Sequence, residues 1–119
     1  MQYVPFKTNE NEYKLRLSAK HTRPLETELG KSMLAYVNEF GNMGDDMSLF
    51  PDVDTIVTIL YYSLLANQPD LKRDDVYDIY DEYVDAGGGV LEFIQVLMSI
   101  LEVSGFFKQA PTTGANKKK

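Results

Sequence analysis

The stretch Asp52–Ala66, DVDTIVTILYYSLLA, sets the architecture of this chain. Asp52 is a residue type that caps a helix start, and Asp54 places a favourable charge in the first turn. Val53, Ile56, Val57, Leu60, Leu64 and Leu65 recur at helical spacing on one stripe. Ile59, Tyr61 and Tyr62 extend the apolar surface nearly all the way round. A helix of that kind is either central in its fold or covered by another chain. The apolar run is too short and too polar to cross a bilayer.

Downstream, NQPD at Asn67–Asp70 breaks the helix, and RDDVYDIYDEYVDAG at Arg73–Gly87 starts another. Its pattern turns Val76, Ile79, Tyr80, Tyr83 and Val84 inward and the acids outward. After the glycines, Val90, Ile94, Leu97, Met98 and Leu101 line a last helix that Gly105 ends.

The junction DEYVDAGGGVLEF, Asp81–Phe93, resembles a calcium loop of the EF-hand type on first reading. With Glu92 at position twelve, Asp81 falls at one and Asp85 at five. Position three is then Tyr83, a neutral phenol, and position six is Ala86 where the turn needs glycine. Starting at Asp85 puts Val96 at twelve and loses the bidentate ligand. A flexible joint between two helices fits these residues better, and no cofactor or metal is expected.

Upstream, YVPFKTNENEYKLRL at Tyr3–Leu17 reads as a hairpin. Tyr13, Leu15 and Leu17 alternate with Lys14 and Arg16, the polar KTNENE turns the chain, and Pro5 belongs at an edge. Two strands alone are marginal, so the hairpin must lean on helices or pair with another copy. Ser18 can cap the next helix, whose first turn lies between Ser18 and Pro24, and Gly30 stops it. KSMLAYVNEF at Lys31–Phe40 is a second short helix with Leu34, Val37, Met33 and Phe40 on its apolar side, followed by a loop, GNMGDDMSLFP. The expected fold is therefore mainly α: a compact bundle of four to five helices with an N-terminal β-hairpin over about residues 3–17, forming one domain over 1–107. The remainder, 108–119, lacks apolar periodicity and is expected to be a disordered basic tail.

Composition narrows the function. A chain of 119 residues, 44% hydrophobic and 12% aromatic, is of single-domain size and folded character. It has no cysteine, which excludes disulfides and thiol nucleophiles. The opening MQYVPFKTNE lacks the positive-then-apolar order of a secretory signal, so a soluble, intracellular protein is expected. Net charge is −6, and since four lysines follow Phe107 unopposed, the body carries −10. That sign disfavours nucleic acid as a partner. His21 is the only histidine, the serines lack a nucleophile-elbow context, and the triple glycine lacks the Lys-Ser/Thr of a phosphate loop. No catalytic constellation emerges, and no enzyme is expected.

The order of the pieces resembles the tail assembly chaperones of long-tailed bacteriophages, particularly those infecting Gram-positive bacteria. The resemblance covers roughly Tyr13 to Phe107. It is carried by the Leu-x-Leu-Ser entry at Leu15–Ser18, the Leu-Glu-x-x-Leu-Gly helix end at Leu25–Gly30, the Val-Tyr-x-x-Tyr-Asp-Glu-Tyr helix at Val76–Tyr83 and the Ser-Gly-Phe helix end at Ser104–Phe106. Lys72 departs from it, standing where that family usually has a Ser or Thr cap. The resemblance implies a non-enzymatic role in the host cytoplasm: coating the tape measure protein, keeping it soluble and helping recruit tail tube subunits. It also implies self-association and a longer frameshifted form as partners. The terminal NKKK is consistent with an A-rich slippery stretch, and an ordinary lysine end reads the same. Ile59, Tyr61 and Tyr62 on the back of the central helix, with Phe106 and Phe107 at the tail junction, are the expected contact residues. The competing reading is a small helical adapter or regulator that binds one partner helix in a groove.

Overall fold

The computed structural model describes residues 2–42 and 51–106. Its elements run β1 (Val4–Lys7), β2 (Glu12–Leu15), α1 (Ala19–Leu29), α2 (Met33–Asn42), α3 (Val53–Leu65), α4 (Arg73–Asp85) and α5 (Val90–Val103). The mainly helical architecture with an N-terminal hairpin is the one expected. The loop read after Phe40 begins later, because Gly41 and Asn42 complete α2; residues 43–50, Phe107 and the tail at 108–119 lie outside the described residues.

Helix α3 is the hub, and α1, α4 and β2 all pack against it. Asp52 caps it, accepting the Thr55 N–H at 2.8 Å. Ile56, Val57, Ile59, Leu60 and Leu64 are fully buried, each contributing about 1.5–3 kcal/mol of transfer free energy. Ile59 is thus in the core instead of on an outward face. Val53, in the first turn, escapes the stripe and is 46% exposed.

The hairpin leans on the helices. β1 pairs antiparallel with β2, Phe6 opposite Tyr13 and Val4 opposite Leu15, and β1 also packs against α5. Phe6, Leu15 and Leu17 are buried, while Pro5 sits at the solvent edge. Beyond β2 the chain is tied down by its backbone: the Arg16 N–H donates to the Ser63 carbonyl at 3.0 Å, and the Leu17 N–H to Ser104 Oγ at 2.9 Å. Arg16 Nη1 donates to the Val103 carbonyl at 2.8 Å, placing a cation at the C-terminal end of α5 where the helix dipole favours it.

Helix ends follow the glycines. α1 stops at Gly30, whose N–H donates to the Glu26 carbonyl at 2.9 Å. Pro24 lies in the middle of α1, the sixth of its eleven residues, where it forgoes the one backbone bond its nitrogen would have donated to the Lys20 carbonyl. At the end of α4, Gly87 takes φ 99°, its N–H donates to the Val84 carbonyl, and the Gly88 N–H reaches back to the Tyr83 carbonyl at 2.9 Å. That double bond is a Schellman closure. α5 closes the same way, with the Phe106 N–H donating to Leu101 and the Gly105 N–H to Glu102. At the start of α4, the Lys72 side chain has no acceptor to offer the helix; its carbonyl accepts the Asp75 N–H at 3.0 Å, and the Asp75 carboxylate accepts the Lys72 N–H at 3.4 Å.

Three helices depart in part from their expected settings. Val84, expected inward, is 44% exposed at the edge of the α4 stripe. On α5 the buried side is Phe93, Leu97, Ile100 and Leu101, so Ile94 and Met98 lie only half-buried on the outer side. On α2 Met33 and Tyr36 are buried, whereas Leu34 is 54% exposed.

Candidate functional site

The residues expected to contact a partner fall into three environments. Ile59 is enclosed by the core. Tyr61 and Tyr62, one turn from the end of α3, are half-buried and engaged within the chain. Arg73 at the start of α4 lies over both rings, 4.8 Å from the Tyr61 centroid and 5.6 Å from that of Tyr62. Its Nη2 donates to both Glu28 carboxylate oxygens, at 3.0 and 2.8 Å, and its Nη1 to Thr58 Oγ1 at 3.0 Å. The Tyr62 hydroxyl donates to the same Glu28 carboxylate. Burial, then this bond, pushes the phenol up from its ordinary value. The cluster staples α1, α3 and α4 together, so these tyrosines serve the fold before any partner.

Phe106 follows the glycine that ends α5 and packs against the core from the surface. It forms one wall of a groove of about 340 Å³ between α1 and the end of α5, with Leu17, Ala19, Thr22, Arg23 and Ser104 among the other lining residues. His21 is close in sequence to this groove, and its Nδ1 lies 2.8 Å from Ser18 Oγ. Burial, with a smaller contribution from Lys20, lowers its pKa. Ser18 is the N-cap residue of α1, and its carbonyl accepts from the Thr22 N–H and hydroxyl, both at 2.8 Å. The pair belongs to a helix start.

The glycine junction is likewise structural. Asp81 and Asp85 lie on the last turns of α4 with exposed side chains, so the first five positions of a would-be calcium loop are helical. Among the described residues no three His, Asp or Glu side chains converge as a metal site. The junction holds the hairpin turn instead. Glu82 accepts from Thr8 Oγ1, Asn11 Nδ2 and the Tyr13 hydroxyl, all at 3.1 Å. These donors hold its carboxyl below the usual range, the Asn11 amide contributing most, while burial and Glu82 push the Tyr13 phenol up to about 12.

What remains outward is apolar side-chain surface. Leu91, Ile94 and Met98 recur at i, i+3 and i+7 along the outer side of α5, interleaved with Gln95, Ser99 and Glu102. Leu91 is 59% exposed, and a shallow depression of about 360 Å³ runs along Ile94, Gln95, Met98 and Glu102. The sequence pattern hid this face because α5 carries apolar residues on both sides. Among the described residues no single helix is long and apolar enough to cross a membrane.

A family model described as a family of unknown function (DUF6096) matches residues 5–119. No curated protein and no solved structure matches the chain.

Proposed function

The chain belongs to the DUF6096 family of unknown function, and we propose that it acts as a tail assembly chaperone of a long-tailed bacteriophage. In this reading it coats the tape measure protein in the host cytoplasm, keeps its apolar helix faces from aggregating, and helps recruit tail tube subunits. Copies of the chain, together with a longer frameshifted form, would line the same polypeptide. No chemistry on the substrate is required of it.

The observation that carries the proposal is the half-apolar outer face of α5 on a body of net negative charge. A small acidic domain with such a face can cover hydrophobic helix surface while like charge keeps the assembly dissolved. Individually weak contacts become firm coverage when many copies bind one chain. The sequence resemblance from Tyr13 to Phe107 supplies the identity of the client.

The test is expression of the tape measure protein of the same genome with and without this chain. The proposal expects the client to be insoluble alone and soluble in company. A genome with no such long helical reading frame, or a client whose solubility is indifferent to this chain, would overturn it.

A further inference from the structure

We infer that the outer face of α5 is the docking surface, and that its occupant is an amphipathic partner helix whose apolar stripe is flanked by Lys or Arg. The inference deepens the chaperone reading and rests on it for the claim that a helical client exists. The spacing of Leu91, Ile94 and Met98 presents apolar surface on one side of a regular helix. A partner helix laid along it reads such a surface through its own i, i+3, i+4 and i+7 positions.

The sign of the partner follows from charge. Between Asp74 and Phe106 the sequence holds eight acids and no Lys or Arg, a net −8; with Arg73 at the start of α4 included, α4 and α5 together carry −7. The first 73 residues, in contrast, set eight bases against ten acids. Every charge on α5 itself is acidic: Glu92 beside Leu91 at one end and Glu102 beyond Met98 at the other. Asp81 and Asp85, exposed on the last turns of α4, add to the field at the Leu91 end. Arg16 sets a cation at the C-terminal end of α5, but an acidic helix laid along the stripe meets Glu92, Glu102 and the acids at the end of α4, whereas a basic one is steered to them. Among the described residues, the other exposed large apolar side chains are Leu34 on α2, Val53 on α3, and Tyr77 and Val84 on α4, no three of them on one helix.

The test uses the full chain and two synthetic helical peptides of about 20 residues sharing one leucine stripe, flanked by lysine in one and by glutamate in the other. Binding is read by anisotropy of a dye on the peptide, and the site by amide shifts. The lysine peptide should bind and shift α5 resonances, and the glutamate peptide should not. Leu91→Asp combined with Met98→Asp should weaken binding at least ~tenfold while leaving the helical signal and thermal midpoint near wild type. Leu34→Asp, on another face, should leave affinity within about twofold. The inference is overturned if the two peptides bind alike, if Leu34→Asp costs as much as the α5 pair, or if the shifts fall outside α5. Should the lysine peptide dock on α5 while the tape measure protein stays insoluble, the surface stands and the chaperone reading falls. Should the client be rescued equally by the α5 double variant, the reverse holds.

Discussion

Gly88 shows how much one residue can decide. A Cβ built there would sit 2.3 Å from the Tyr83 ring, and that ring is stacked on Phe6 at 4.7 Å and largely buried, so it has little room to swing away. Gly88→Ala should therefore cost about 1–3 kcal/mol in denaturant unfolding. At Gly87 a Cβ meets open space, and only its positive φ resists, so Gly87→Ala should cost about 1 kcal/mol. Equal costs at the two positions would contradict the packing account. Glu82 and Tyr13 give a second residue-scale prediction, in pH. Glu82 has a depressed carboxyl, so its contribution to stability is full above the ordinary Glu range and is lost as pH falls through the lower folded value. Tyr13 has a raised phenol, so its contribution is full below about pH 10 and fades as pH rises toward about 12. Glu82→Gln should flatten the acid limb of stability against pH, and Tyr13→Phe the alkaline limb, as read by denaturant midpoints across the range. The glycine run was visible in the sequence as a joint. The task of Glu82 in holding the hairpin was not, because it depends on contacts about seventy residues apart.

At the scale of the element, α3 was legible as a helix and as the centre of the fold, since its cap and its breadth of apolar residues are local signals. Its outward side was not legible. Periodicity cannot say which side of a helix apolar nearly all round meets the core, and Ile59 was accordingly placed outside. Ile59→Ala should lower stability by about 2–5 kcal/mol in an isolated chain, a loss visible in thermal unfolding at any concentration. A stable Ile59→Ala variant with impaired association would restore the surface role that burial denies it. The same ambiguity rotated α5: Phe93 and Ile100 fill the core, and Ile94 and Met98 are released to the outer side. The cluster that engages Tyr61 and Tyr62 was not legible for a different cause. Their partner, Arg73, comes from the next helix, and Glu28 from α1, so only the assembled bundle brings cation, carboxylate and rings together.

For the whole molecule, the decisive property is the unequal division of charge. Apart from Arg73 at its start, the α4–α5 half carries only acidic charges, and it also bears the outward apolar stripe, which joins a sign and a shape on one surface. Attraction of a basic partner to exposed acids is screened by salt, so complex formation should weaken steadily as ionic strength passes about 0.15 M, where the Debye length is about 8 Å. The apolar contribution should persist. The central claim is that many copies of this chain cover one long client. It is tested most directly by native mass spectrometry of the full chain co-expressed with the tape measure protein of its own genome. The account predicts several copies bound per client chain, with the number rising as more of this chain is supplied. A single copy per client at every ratio, the behaviour of a one-helix adapter, would contradict it.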